Sequence, residues 1–381
     1  MRILHTADWH LGRVLGGLDL IPAQRHAIEA IVAIAADARP DVIVVAGDLY
    51  DRAVPGEEAV GLLDEALRRL GEIAPVIAIA GNHDSGARLD FGTEFFRRAG
   101  VHLAGRPRAR PARVELADAH GPVTFHMLPF ATPADARFLT GRDDVASHEA
   151  ATAALLAGAD TSAGGRHVLV GHLFAQGGES SDSERDISVG GVATVPTALF
   201  APFHYTALGH LHRPHALADG RIRYAGSPAR YSFSEEHQRK TVALVALDAA
   251  GAVTVEEIPL PALHGMRTLR GRFDDLVRAA ADDADRQRDL IRVEVVDPIV
   301  PPGARERLRT LYPLLLEFRV EPPARGPADA ARPALDDLAR SSPHAFVERF
   351  LGDRYPDAAC DAVRALAREC MEQALAAERE R

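Results

Sequence analysis

AIAGNHDSG, residues 78–86, contains Asn82, the only asparagine of the 381-residue chain. Lysine is as scarce: Lys240 stands alone among 44 basic residues, all the others being arginine. An asparagine suits a turn that follows a strand, but an aspartate serves about as well, and this chain uses aspartate freely. A chemical role asks for something an amide oxygen does and a carboxylate does not, namely binding a cation while adding no charge. The run before Gly81, PVIAIA (75–80), is apolar and of strand length, so the Gly-Asn-His-Asp segment falls where a strand ends.

The same arrangement occurs four more times. RILHTA runs into Asp8-Trp9-His10, DVIVVA into Gly47-Asp48, RHVLV into Gly171-His172, and HYTAL into Gly209-His210-Leu211-His212. Between these runs, IPAQRHAIEAIVAIAADA (21–38) and EEAVGLLDEALRRLGEI (57–73) repeat apolar residues at helical spacing. Strands alternating with helices predict a layered α/β domain. Ligands of such sheets bind outside the carboxyl ends of the strands, so the five ends are expected to converge on one site. Within DxH and HxH, residues i and i+2 of an extended segment point to the same side.

Histidine, aspartate and asparagine without cysteine suit a borderline or hard divalent ion such as Mn²⁺. Asp8, His10, Asp48, Asn82, His172, His210 and His212 make seven candidate ligands, more than the roughly six that one such ion accepts. Two ions sharing a bridging carboxylate are the economical count. A pair of ions about 3.5–4 Å apart is a common device for in-line displacement at phosphorus. Asn82 then supplies a neutral oxygen where another carboxylate would over-neutralise the ions.

The composition is consistent with this. With 47% apolar residues the chain can bury a large core, and its length allows two or three domains. A formal charge of −10 argues against a uniformly basic, nucleic-acid-coating surface. No apolar run approaches the ~20 residues of a membrane span, and MRILHTADWH lacks the apolar core of a signal peptide. Cys360 and Cys370 would lie about 15 Å apart along a helix, too far for a disulfide. A cytoplasmic protein with no membrane contact is expected.

The reading shifts to short strands and hairpins at HGPVTFHMLPF (120–130) and 239–260. We therefore expect a first domain over 1–260, a small α+β capping unit over 261–320, a Pro/Gly/Ala linker over 321–340, and a helical tail over 341–381. In that tail Phe346, Phe350, Leu351, Val363, Leu366 and Met371 form an apolar stripe suited either to this chain or to a partner helix.

The ordered set DxH, GD, GNHD, GH and GHxH resembles the signature of the calcineurin-like metallophosphoesterase superfamily. The stretches MRILHTADWHLG, VVAGDLYD, GNHDS, LVGHLFAQGGESSDSERD, YTALGHLHRPH and IRYAGSPARYSFSE are similar to the SbcD family, the nuclease subunits of bacterial SbcCD complexes. The resemblance implies a four-layer α/β/β/α sandwich. It implies Asp8, His10, Asp48 and His212 on one metal, with Asp48 bridging to a second held by Asn82, His172 and His210. His83 corresponds to the histidine that contacts the scissile phosphate and assists the leaving oxygen, and Asp84 to its orienting partner. Asp51 stands where archaeal relatives carry a histidine. The implied activity is Mn²⁺-dependent phosphodiester hydrolysis on DNA: 3′→5′ exonuclease action on duplex ends and endonuclease action on single strands and hairpins, in DNA repair and recombination. The implied assembly is a homodimer joined to the SMC-like ATPase SbcC in a heterotetramer.

Two alternatives stand beside it: a small-molecule phosphodiesterase or phosphatase of the same superfamily and, from another class, a non-catalytic scaffold for the ATPase. The capping unit and tail argue against the first, and the His83-Asp84 pair against the second. Further substrate contacts are expected at Arg185, in the polar loop 175–191 after His172, and at Ser227 and Arg230 in the Gly-Ser-Pro turn. His5 reads as a core histidine. Trp9 reads as packing or as a base-stacking platform, and the arginines between Arg97 and Arg113 as a solvated loop or a phosphate-contacting surface.

Overall fold

The computed structural model describes residues 1–162, 164–184, 194–321, 348, 351–352 and 361–379. The chain divides into two compact units. The first contains Met1–Thr268 with Gln287–Ile291, and the second contains Leu269–Arg286 with Arg292–Arg381.

Two six-stranded sheets build the first unit. In the first sheet, strands Arg2–Thr6, Val42–Val45, Val76–Ile79 and Val101–Ala104 run parallel. Thr241–Leu247 and Val253–Pro259 add an antiparallel hairpin at its other edge. In the second sheet, Gly121–Leu128, Arg166–His172, Tyr205–Gly209 and Ile222–Tyr224 are parallel, and Ala112–Asp118 and His215–Leu217 pair antiparallel at the edges. Strands Val42–Val45 and Val76–Ile79 are buried along their whole length, as near-continuous Val/Ile runs covered on both faces must be.

Three cores separate the layers. Ile3, Val44, Ile77, Phe125, Val168, Tyr205 and Val245 fill the space between the two sheets. Ile28, Ile31, Leu62, Leu63, Leu67 and Leu70 cover the outer face of the first sheet from helices Ile21–Ala38 and Glu57–Gly71. Ala136, Ala151, Ala154 and Leu155 cover the second sheet from helices Pro133–Thr140 and His148–Leu156. The helix signals are local. Glu57-Glu58 and Arg68-Arg69 sit at the ends of Glu57–Gly71 where the helix dipole favours them. Thr132 and Asp135 form a capping box at the start of Pro133–Thr140.

The parallel strands send their carboxyl ends the same way in each sheet, and the sheets approach closely there. A Cβ on Gly209 would lie 2.0 Å from the Ala46 carbonyl oxygen on the facing sheet, so only glycine fits. A three-stranded sheet ordered Met266–Gly271, Leu290–Val295, Leu315–Val320, whose first two strands begin in the first unit, and helices Phe273–Ala279 and Ala304–Leu311 make up most of the described second unit. The second unit also contains the helix Asp361–Arg379, on which Val363 and Leu366 are exposed. Phe346, Phe350 and nearly all of the expected linker lie outside the described residues.

Candidate metal centre

Each of the five strand ends delivers its side chains into one buried cluster. Asp8, His10, Asp48, His83, His172, His210 and His212 are all buried, and Asn82 is half-buried. Three donor sets lie within 4.8 Å: Asp8 with His10 and His212, Asp8 with Asp48 and His172, and His10 with Asp48 and His83.

The loops reach this point through unusual backbone. Asp8 (φ 54°), His10 (φ 46°), Asp48 (φ 50°) and His210 (φ 101°) all have positive φ, which costs a non-glycine residue about 1–3 kcal/mol. Main-chain bonds hold three of them there: Asp8 N donates to Gly47 O at 3.0 Å, and His10 N to Asp48 O at 2.9 Å. His210 N donates to Asp8 Oδ1 at 2.8 Å. Gly47 (φ 92°) is needed for space as well, since a Cβ would sit 2.3 Å from His172 Nδ1.

The donor spacing fits bound ions. Two ligands each about 2.1 Å from one ion lie about 3 Å apart at a right angle. His10 Nε2 and His212 Nε2 are 3.0 Å apart; Asn82 Oδ1 is 3.0 Å from His172 Nε2 and 3.1 Å from His210 Nδ1. Asp48 Oδ2 stands 3.5 Å from His10 Nε2 and 3.4 Å from His172 Nε2, between the two groups. Asp8 Oδ2 is buried without a hydrogen-bond partner among the described residues, a costly arrangement that a cation would relieve. These residues therefore fit two divalent ions.

Burial sets the electrostatics. It pushes His10 and His210 down to about 3, so both rings are neutral and free to ligate. It pushes Asp8 up to about 7 against the pull of His172 and His212. Burial also opposes charge on Asp48 and His172, but their mutual attraction outweighs it. Asp48 is held well below the usual carboxylate range, and His172 is raised to about 9. A cation at the centre would take over the role of that proton.

His83 sits beside this cluster, its ring 4.5 Å from that of His10. Its main-chain N donates to Asp48 Oδ1 at 2.8 Å, and its Nδ1 lies 2.8 Å from the Asp51 carbonyl oxygen. A carbonyl only accepts, so Nδ1 carries a proton. Asp84 accepts from the backbone N–H groups of Gly81, Leu49 and Tyr50 at 2.9–3.0 Å. It thereby ties the turn carrying His83 to the loop carrying Asp48. Burial, with Asp48 nearby, raises Asp84 to about 7.

The substrate-contact residues fare differently. Arg185 lies outside the described residues. Ser227 is fully buried: its hydroxyl donates to Ala229 O and accepts from Lys240 Nζ, so it faces no open surface. Arg230 is half-buried, with its guanidinium on the Gln238 carbonyl. Trp9 is fully buried and donates to Thr6 Oγ1, which excludes stacking on a base. His5 is buried against Tyr205, 2.9 Å from its hydroxyl. Arg97 and Arg106 are paired with Glu94 and Asp90.

Sequence reading missed a supporting layer. Gln24 donates to the carbonyls of Trp9 and His10 from the helix behind them. Ser183, Glu184, Glu235 and Lys240 surround His212. One signal for this layer was visible, since a chain that otherwise uses arginine keeps a single lysine.

Residues 1–214 match the family model for the calcineurin-like phosphoesterases, more than half of the chain, and the protein belongs to that family. Residues 262–355 match a second model, SbcD_C, described as the type 5 capsule protein repressor C-terminal domain. The pair of matches is what an SbcD-type chain would give. Among solved structures, TT1561 of Thermus thermophilus is similar at 13% identity and a TM-score of 0.36, over 67% of this chain and 98% of that one. GAP50, the anchor in the inner membrane complex of Plasmodium, gives 12% and 0.37 over 86% and 99%. The phosphoesterase Yfce from E. coli gives 14% and 0.28 over 68% and 100%. Scores this low bear on neither fold nor activity. Among the described residues, no helix is long and apolar enough to cross a membrane.

Proposed function

We propose that this phosphoesterase is the nuclease subunit of an SbcCD-type complex, cutting DNA phosphodiesters with two divalent ions, Mn²⁺ foremost. The observation that carries the reading is the meeting of all seven candidate ligands with His83 at one set of strand ends, in a chain whose C-terminal region matches the SbcD model. Bound ions would lower the pKa of water and neutralise charge on the phosphoryl oxygens. Asp8, His10 and His212 would hold one ion; Asn82, His172 and His210 the other, with Asp48 shared. His83, its Nδ1 hydrogen held on the Asp51 carbonyl, would first take up a second proton at Nε2 from solvent and then pass it to the leaving oxygen. Asp84 keeps that ring in place by anchoring its turn.

The same proposal includes 3′→5′ action on duplex ends and endonuclease action on single strands and hairpins. It also includes a cytoplasmic homodimer bound to the ATPase SbcC through the terminal helices. Phe91 and Phe95, 83% and 77% exposed, offer apolar surface of the kind self-association covers.

The test is Mn²⁺-dependent degradation of an end-labelled linear duplex by the full chain, beside His83→Ala and a small aryl phosphodiester. Degradation lost in His83→Ala, with ion binding retained, is the expected result. Turnover of the small diester alone would move the assignment to a small-molecule phosphodiesterase.

A further inference from the structure

His212 is held at its main-chain N, its carbonyl and its ring Nδ1 by groups that belong to none of the five strand-end motifs. Its main-chain N donates to Glu184 Oε1 at 2.7 Å, and its carbonyl accepts from Lys240 Nζ at 2.9 Å. Its ring Nδ1 lies 2.6 Å from Ser183 Oγ and 3.2 Å from Glu235 Oε1. Ser183, Glu235 and Lys240 are themselves buried, at 6%, 0% and 6% exposure.

The hydrogens can be counted. Glu235 is paired with the Lys240 ammonium at 2.6 Å and acts only as an acceptor. The Ser183 hydroxyl donates to Glu235 Oε1. A serine has one hydrogen to give, so its oxygen can only accept from His212. Nδ1 of His212 must then carry the proton, and Nε2, 3.0 Å from His10 Nε2, keeps its lone pair. Lys240 distributes three hydrogens among Glu235 Oε2, Gln238 Oε1, Ser227 Oγ and His212 O, all within 2.9 Å. That converging set suits a compact ammonium. The planar guanidinium of arginine cannot aim its hydrogens this way, which accounts for a lone lysine in an arginine-rich chain.

A buried ion pair is by itself a poor source of stability, so its presence behind a candidate ligand asks for another role. We propose that Ser183, Glu235 and Lys240 form a positioning relay that fixes the Nδ1–H tautomer of His212 and turns its Nε2 toward the ion shared with Asp8 and His10. The inference rests on the two-ion reading above, because the relay has a purpose only if Nε2 ligates.

The full chain tests this with Ser183→Ala, Glu235→Gln and the conservative Ser183→Thr. Two quantities are measured: Mn²⁺ affinity at each site by titration calorimetry and electron paramagnetic resonance, and the His212 tautomer by nitrogen-15 NMR of metal-free, histidine-labelled protein. In Ser183→Ala one of two Mn²⁺ affinities is expected to weaken about 10- to 100-fold, with the Nδ1–H form of His212 mixed with the other tautomer. Ser183→Thr should restore both readouts. Glu235→Gln, which keeps the side-chain shape, should weaken the same ion, and serves alone if Ser183→Ala fails to fold. Two wild-type affinities and an unchanged tautomer in Ser183→Ala, or in Glu235→Gln where that variant stands in, would overturn the relay while leaving the metal centre intact. A wild-type chain that binds no Mn²⁺ would remove the metal centre and the relay together.

Discussion

The two halves of the candidate centre hold similar rings by opposite means. Around His172 the support is main chain: Nδ1 donates to the Ala46 carbonyl at 2.9 Å, and Gly47 leaves room for the ring. Around His212 the support is side chain, from Ser183, Glu184, Glu235 and Lys240. A carbonyl at a strand end is present whatever the residue, so the first half depends on backbone shape. The second depends on four side chains brought from three different segments. One half should therefore break at a glycine, and the other at a charge.

The largest effect is expected where the halves join. Asp48→Ala removes the carboxylate that faces both histidine groups, and phosphodiester hydrolysis should fall by about 10²- to 10³-fold, in the range seen for loss of one electrostatic group in an active site. Retained circular dichroism and a lowered Mn²⁺ stoichiometry would locate the loss in the centre. Unimpaired hydrolysis would refute the shared role.

On the side-chain half, Lys240→Met leaves Glu235 buried without its cation. Urea unfolding should show a loss of about 3–5 kcal/mol, the usual cost of breaking a buried pair from one side. The paired replacement Lys240→Met with Glu235→Leu should recover much of that stability, yet not Mn²⁺ affinity if the pair serves positioning. On the backbone half, Gly47→Ala meets both a positive φ and the His172 ring. A destabilisation of about 1–3 kcal/mol is expected, with the greater loss of affinity at the ion near His172. Equal weakening of both ions in the two variants would erase the contrast between the halves.

Acid titration separates the sandwich from its site. Burial, with the positive charge of Arg223 nearby, pushes His5 down to about 3, whereas in the unfolded chain it titrates near 6.5. A depressed pKa contributes stability that is complete above the unfolded value and is lost as pH falls. Between pH 6.5 and about 3 the wild type should therefore lose about 1.4 kcal/mol more per pH unit than His5→Gln, read from denaturant midpoints. Parallel curves would mean that His5 does not stay neutral in the folded state. The smallest expected effect is on association: Phe91→Ser with Phe95→Ser should lower the mass measured by light scattering without changing thermal stability.

Much of the centre was legible because its donors are local to strand ends. A strand followed by glycine and then Asp, Asn or His reads the same way wherever the strand sits in a sheet, and all five such ends meet here. Apart from its single lysine, the supporting layer was not legible as a unit, because Ser183 and Glu235 are 52 positions apart and, although both fall in stretches that carry the family resemblance, nothing local shows that they meet. Ser227 illustrates the reverse case. Its Gly-Ser-Pro turn suggests an exposed contact, yet the turn folds inward and the hydroxyl receives Lys240. Likewise Trp9 beside the first motif could have faced the substrate, but its ring is consumed by the core under helix Ile21–Ala38.

By itself the sequence determined the donor types, their order along the chain and their position at strand ends, since these follow from local patterning of strands and turns. Only the tertiary structure decided which ring nitrogen faces the centre, which donors form each half, and which polar residues are buried behind them. His10 and His212 are 202 positions apart and meet at 3.0 Å. Distances like that are set by how closely two sheets pack at their carboxyl ends, a property no local pattern carries.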